Sequence, residues 1–225
     1  MCSSDLADAL YILSTLAHTG PRDLAAGAPD AHRWFQLYVL RDRGLTRSIV
    51  DEAADCGFSA IVVTVALPPA GRRERELRTG FTLGGDLAVP SIAATGTTGP
   101  ITMFDLPSLF DPSLTWADIE EVATWTDLPV VVKGVLHPQD ALAAAEHGAA
   151  AVVVSNHGGR QLDGVPAGAV ALAAVADAVQ GAVPLLVDGG VRRGTDAIRA
   201  RALGADAVLV GRPILYGLAT AGAEG

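Results

Sequence analysis

His157 and Arg160 stand three residues apart, with two glycines between them, in the string Ser155-Asn156-His157-Gly158-Gly159-Arg160-Gln161-Leu162-Asp163. An imidazole can take up a proton near neutral pH. A guanidinium can clamp a carboxylate with two parallel hydrogen bonds, and glycines let a substrate come close to the backbone. A proton acceptor beside a carboxylate anchor suits chemistry on an organic acid. In isolation such a pair is more often a solvated loop. Here the apolar run before it, Ala149 to Val154, reads as a buried strand ending at Ser155, so the pair sits where a strand gives way to a loop.

Other residues gain meaning in the same way. Lys133 closes the apolar run from Pro129, where an unpaired ammonium would be costly. Gln36 and Tyr38 share one face of their strand by the two-residue period, and Ser14 and Thr64 close two further apolar runs. Near the end, Asp188-Gly189-Gly190-Val191-Arg192 and Gly211-Arg212-Pro213 bring glycines and arginines to the start of helical segments, a setting that binds phosphate. The plainer alternative is that these glycines serve tight turns alone. His18, His32, His137 and His147 lack such context and read as structural or surface residues.

These residues need elements to position them. Tyr11–Ser14, Trp34–Tyr38, Ala60–Val65, Pro129–Lys133, Ala150–Ser155, Pro184–Asp188 and Ala207–Gly211 read as short strands without alternation, as expected of parallel strands covered on both faces. Helical segments lie between them. Leu45, Ile49, Val50 and Ala53 form a stripe that Gly57 closes, and Thr115 with Asp118 resembles a capping box. Pro138 suits a first helical position and Gly148 a stop, while Gly194 opens a helix that ends at Gly204. Repeated strand–helix units predict an α/β protein, either a doubly wound sheet or a (β/α)8 barrel. No Gly-x-Gly-x-x-Gly follows the first strand, which weighs against the first. Polar residues at nearly every strand's C-terminal end, where barrel enzymes place their chemistry, favour the TIM barrel. Seven strands are legible rather than eight. The stretch 79–112 lacks periodicity and is expected to be a lid-like loop.

With 225 residues, half of them hydrophobic and 18% charged, the chain is long enough for one large domain. A net charge of −9 without a basic stretch argues against a nucleic-acid partner. Two cysteines give no disulfide framework and fit a reducing compartment. Neither a membrane-length apolar run nor a signal-peptide layout is present, so a soluble cytoplasmic protein is expected. No metal is expected.

Together these motifs resemble the FMN-dependent α-hydroxy acid dehydrogenase and oxidase family, which includes glycolate oxidase, lactate oxidase and dehydrogenase, and mandelate dehydrogenase. The resemblance runs from about Leu10 to Leu218, with Phe35-Gln36-Leu37-Tyr38, Gly71-Arg72-Arg73-Glu74 and Val132-Lys133-Gly134-Val135 in the right order. It implies FMN as cofactor and oxidation of an (S)-2-hydroxy acid to a 2-oxo acid. His157 would be the general base, Arg160 would bind the substrate carboxylate, and Tyr38 would hydrogen-bond near the reacting hydroxyl. Arg73 would add positive charge at the site. Lys133 would sit by the flavin N1 and O2, where reduction builds negative charge. Ser14, Gln36 and Thr64 would contact the isoalloxazine ring. Asp188, Gly189, Gly190, Arg192, Gly211 and Arg212 would bind the cofactor, the glycines and arginines at its phosphate. The identity of the hydroxy acid (lactate, glycolate or a larger one) and of the electron acceptor (oxygen, a quinone or a protein) stays open. A homo-oligomer fits the family.

Three departures qualify the resemblance. The family's Thr-Val-Asp reads Thr64-Val65-Ala66 here, and that aspartate normally pairs with the catalytic histidine. A hydrogen bond to a charged group contributes roughly 1.5–3 kcal/mol. Its absence should therefore slow turnover by roughly ten- to a few hundred-fold. The N-terminal segment is short, so the first barrel strand and an upstream tyrosine are expected to be missing. The chain stops soon after a last helix expected from about Ile214, which would then be incomplete. Residues 1–9 match no family feature and read as a leader, artefactual sequence joined to a truncated gene, ahead of an incomplete FMN-binding barrel over 10–225. A catalytically silent flavin- or phosphate-binding remnant is the alternative function. Another phosphate-binding barrel enzyme, such as a flavin-dependent isomerase, is a weaker one.

Overall fold

Short apolar runs, most of them rich in valine, leucine or isoleucine, form parallel strands in the computed structural model, which describes residues 9–67, 71–80, 89–93 and 106–225. The chain divides into two units, 1–130 and 131–225.

In the first unit, β1 (Tyr11–Ser14), β2 (Arg33–Leu37) and β3 (Ile61–Thr64) pair in parallel in that order. Leu13 is level with Phe35, and Phe35 with Ile61. All three are buried, and Phe35 meets the edge of Phe58 at 5.7 Å. Helix α1 (Pro21–Gly27) joins the first two strands and α2 (Arg43–Asp55) the next two. The predicted stripe of α2 is buried, Leu45, Ile49, Val50 and Ala53 together with Thr46, and the Asp42 carboxylate accepts the Leu45 N–H at 2.9 Å to cap its start. Arg33, buried at the start of β2, donates to the carbonyl oxygens of Ala28 at 2.7 Å and Cys56 at 3.1 Å. The unit also holds α3 (Glu74–Thr79), α4 (Pro90–Ala93), α5 (Leu106–Leu109) and α6 (Trp116–Thr124). Thr115 and Asp118 form the expected capping box at the start of α6. Arg43 on α2 pairs with both Asp111 and Asp118, at 2.6 and 2.5 Å.

In the second unit, β4 (Val130–Val135), β5 (Ala151–Val154), β6 (Leu185–Asp188) and β7 (Ala207–Leu209) follow one another in parallel. Between and after them come α7 (Pro138–Glu146), α8 (Gly168–Val179), α9 (Gly194–Ala202) and α10 (Arg212–Ala221). Helix α8 begins hard against two strand ends. A Cβ on Gly168 would lie 3.0 Å from the Asp188 carbonyl oxygen and 3.1 Å from that of Val154, so a side chain there would push the helix away.

Strand bounds agree with the sequence reading to within two residues, and three details differ. Strand β4 does not end at Lys133; it continues to Val135 through an irregularity at Gly134, whose φ of 116° suits glycine. The last helix begins at Arg212 rather than Ile214, because Pro213 is preorganised for a first turn. The stretch 79–112 is not irregular throughout, since it contains α4 and α5, and Phe110 forms an antiparallel bridge with Leu40. Residues 81–88 and 94–105 of that stretch, and 1–8 of the expected leader, lie outside the described residues. Among the described residues, no helix is long and apolar enough to cross a membrane.

Candidate active site

Parallel strands present their C-terminal ends together, and each unit carries polar side chains there. In the first, Ser14 ends β1, Gln36 lies one residue from the end of β2, and Thr64 ends β3. Ser14 Oγ donates to Gln36 Oε1 at 3.1 Å, and Gln36 Nε2 donates to Thr64 Oγ1 at 3.0 Å. The three residues expected at the flavin ring thus form one hydrogen-bonded row across three strands. Tyr38, just past β2, is buried with its ring 4.7 Å from that of Phe110, and its amide donates to Thr15 Oγ1 at 3.1 Å. Arg73 precedes α3, half-buried, and lies 3.5 Å from Glu76, so a carboxylate partly offsets its charge. Ala66 follows β3 and is half-buried.

The second unit gathers a tighter cluster at the ends of β4, β5 and β6. Lys133 Nζ lies 2.8 Å from Asp188 Oδ2 and donates to Ser155 Oγ at 3.0 Å. The costly ammonium is therefore balanced by a carboxylate from a strand two places away. Ser155 is fully buried, and its Oγ also accepts the His157 N–H at 3.0 Å. His157, Gly158 and Gly159 form a short 3-10 turn with φ of 57°, 68° and 72°. For the histidine this left-handed conformation is strained. Asn156 Oδ1 accepts the Gly159 N–H at 3.1 Å and closes the turn. Arg160 follows, exposed.

Two further loops complete the cluster. Gly189 and Gly190 both have positive φ, 87° and 82°, a pair that makes room for an anion at the backbone. The Arg192 and Arg193 amides instead donate to Asp196 Oδ2 at 3.1 and 3.0 Å, and these bonds hold that carboxyl below its ordinary value. The Arg192 amide is thus already engaged within its own loop. Gly211 precedes α10, and Arg212 Nη2 donates to the Gly158 carbonyl oxygen at 3.2 Å, which ties the start of that helix to the histidine turn.

A buried atom tests whether this cluster fits a flavin nucleotide. Asp188 Oδ1 is buried and has no hydrogen-bond partner among the described residues. Among the described residues, Lys133 uses two of its three N–H donors, on Ser155 and Asp188. An acceptor and a donor side by side suit a ligand that carries both kinds of group, as a flavin's carbonyl edge and ribityl hydroxyls do. The residues fit. Among the described residues, no group of three or more His, Cys, Asp or Glu is placed to hold a metal ion.

Sequence reasoning missed Ser155 as a junction, naming it only as a strand end. Its one signal was a hydroxyl at the limit of a buried strand, directly before the Asn-His pair. It also took Asp188 as a cofactor ligand, without the ion pair to Lys133.

The chain matches the family described as FMN-dependent dehydrogenase over residues 3–225. An L-lactate oxidase of Nostoc sp. is 44% identical, with 95% of this chain and 61% of that protein covered. 2-Hydroxyacid oxidase 1 of Homo sapiens is 42% identical, over 95% of this chain and 60% of that protein. A crystal structure of mandelate oxidase superposes with a TM-score of 0.90 at 42% identity, covering 99% of this chain and 62% of that one. The chain thus spans about three-fifths of the length of the relatives it matches. The likeness bears out the α/β fold of the TIM-barrel class, and it does not favour the silent-remnant reading.

Proposed function

The chain belongs to the FMN-dependent dehydrogenase family, and from that premise we propose that it serves the oxidation of a small (S)-2-hydroxy acid to its 2-oxo acid. The observation that carries this reading is the buried Lys133–Ser155–Asp188 cluster joined through one hydroxyl to the strained His157 turn.

In the proposed reaction the substrate loses two electrons and two protons, one from its hydroxyl and one with the Cα hydrogen. FMN, when bound, supplies the two-electron acceptor. His157 takes a proton from the substrate and Arg160 holds the carboxylate, so the acid is oriented by charge at one end and by proton transfer at the other. Tyr38 donates a hydrogen bond near the reacting oxygen. Arg73 adds positive charge for an anionic substrate, moderated by Glu76. Lys133 places its ammonium where reduction builds negative charge. Ser14, Gln36 and Thr64 offer a fixed row of donors and acceptors to the ring. Gly189, Gly190, Arg192, Gly211 and Arg212 would hold the phosphate, and Asp188 Oδ1 would accept a hydrogen bond from the cofactor.

The named relatives are oxidases, which favours oxygen as the final acceptor. The two cysteines favour the cytoplasm, although one similar protein from rice is named peroxisomal. A family-like homo-oligomer belongs to the same reading.

Anaerobic stopped-flow mixing of the FMN-loaded chain with L-lactate, glycolate and L-mandelate tests the proposal. Bleaching of the flavin's visible band is expected with one of them. Bound flavin that none of the three bleaches, nor a wider panel of 2-hydroxy acids, would overturn it.

A further inference from the structure

Lys133 and Asp188 are 55 positions apart in the chain, and their side chains are mostly buried, at 15% and 17% exposure. The carboxylate faces the ammonium at 2.8 Å, and among the described residues the other polar contact of Lys133 Nζ is the neutral Ser155 hydroxyl. Among the described residues, the charge paired with Lys133 is thus one of opposite sign. A lone ammonium and an ammonium half-committed to a carboxylate differ greatly in what they offer a neighbouring group that gains negative charge, especially away from water.

We propose that Asp188 is a positioning residue for Lys133, tempering the positive charge that the lysine presents to the flavin and so setting the flavin's reduction potential downward. The inference rests on the proposed function, because it needs Lys133 beside the cofactor. It goes further by giving Asp188 an action through another side chain rather than through its own contact with FMN. Ser155 completes the device. Held at zero exposure between Lys133 Nζ and the His157 amide, its hydroxyl limits how far the ammonium can swing when the carboxylate is altered.

Asp188→Asn keeps the shape and a hydrogen-bonding oxygen while it removes the negative charge. The ammonium then offers its charge undivided, and two-electron reduction becomes more favourable. A change of about the size of one charged hydrogen bond corresponds to a roughly tenfold shift in the reduction equilibrium, about 30 mV upward for a two-electron couple. Lys133→Met should shift the potential the other way. In the doubly substituted chain, Asp188→Asn should add little. There the ammonium through which the carboxylate is proposed to act is already gone.

The experiment is equilibration of the FMN-loaded native chain, Lys133→Met, Asp188→Asn and the double variant against redox dyes, at saturating FMN. A rise with Asp188→Asn that shrinks below half in the Lys133→Met background supports the inference. A rise that persists in full there means that Asp188 acts on the flavin directly, and this overturns it, as does no rise at all. If Lys133→Met also leaves the potential unmoved, then the placement of Lys133 in the proposed function has failed and the inference falls with it. Asp188→Glu keeps the charge on a longer arm and decides the matter should the asparagine chain not hold FMN. Its potential should stay within about threefold of native in the equilibrium, about 15 mV. A rise as large as tenfold would overturn the role of charge.

Discussion

Ser155 Oγ accepts the amide N–H of His157 at 3.0 Å, and the histidine it holds stands at a φ of 57°. A hydroxyl buried at the end of β5 is thus spent on keeping one residue in a conformation that L-residues avoid. The same oxygen accepts from Lys133. Ser155→Ala removes an acceptor from two donors, one of them charged. The expected cost is about 2 kcal/mol, a fall in Tm of about 4–8 °C for a chain of this size. Thermal unfolding followed by circular dichroism measures it, and an unchanged Tm would show that neither bond matters to folding.

The left-handed turn makes a second, separable prediction. At φ 57° an alanine keeps the steric penalty that a glycine lacks. His157→Gly should therefore be more stable than His157→Ala by about 0.5–1 kcal/mol, although glycine normally costs stability. Both should lose substrate-driven bleaching of the flavin, since neither can take a proton. Denaturant unfolding of the two variants gives the difference. An alanine variant as stable as the glycine one would mean that the turn relaxes when the imidazole is gone.

The contrast between these residues shows what the sequence reveals. Ser14, Gln36 and Thr64 were legible because each lies at or next to the end of a strand, and parallel strands put such ends side by side; the structure links all three. The α2 stripe and the Thr115–Asp118 box were legible because helix periodicity and capping act over a few residues. Lys133 was recognised as needing a partner, yet Asp188 could not be chosen, because the pairing depends on β4, β5 and β6 lying in order with their ends level. The continuation of β4 past Lys133 was hidden for a related reason. The apolar run breaks locally after Lys133, whereas in the sheet Gly134 is an irregularity across which pairing with β5 resumes at Val135.

Arg43 predicts a dependence on pH. Its Nη2 meets Asp111 and Asp118 together. Hydrogen bonds from Ser113, reinforced by Arg43, hold Asp111 below its ordinary 3.8. Burial pushes Asp118 up, but hydrogen bonds from Thr115 and the Arg43 charge outweigh it, so that carboxyl is also lowered. Groups with depressed folded values contribute stability that is complete above 3.8 and lost as the pH falls through those values. Arg43→Met should therefore lower Tm near neutrality, and the gap from native should narrow steadily once the pH drops below that point. A gap that stays constant into acid would show that Arg43 stabilises by packing its stem rather than by charge.

Ala66 carries the most direct functional prediction. It stands where the family's Thr-Val-Asp motif has its aspartate, after Thr64 and Val65, at the end of β3. In the family that carboxylate stabilises the histidine once it has taken a proton, and the proposed function gives His157 that task here. On that proposal an aspartate at position 66 would act on the proton-transfer step and not on carboxylate binding, which is given to Arg160. Ala66→Asp should therefore raise the rate of flavin bleaching by roughly ten- to a few hundred-fold, the equivalent of roughly 1.5–3 kcal/mol from a hydrogen bond to a charged group. The substrate concentration for half-maximal rate should change little. The position is half-buried at a strand end rather than inside the core, so the longer side chain does not displace the β3 packing. Anaerobic stopped-flow traces of the native and substituted chains over a range of pH decide it. A gain in rate with its pH profile shifted toward alkali, as expected when the imidazolium is favoured and the neutral base appears only at higher pH, supports the assignment of His157 as the base. A well-folded, FMN-loaded Ala66→Asp chain with neither gain nor shift would mean that the proton goes elsewhere.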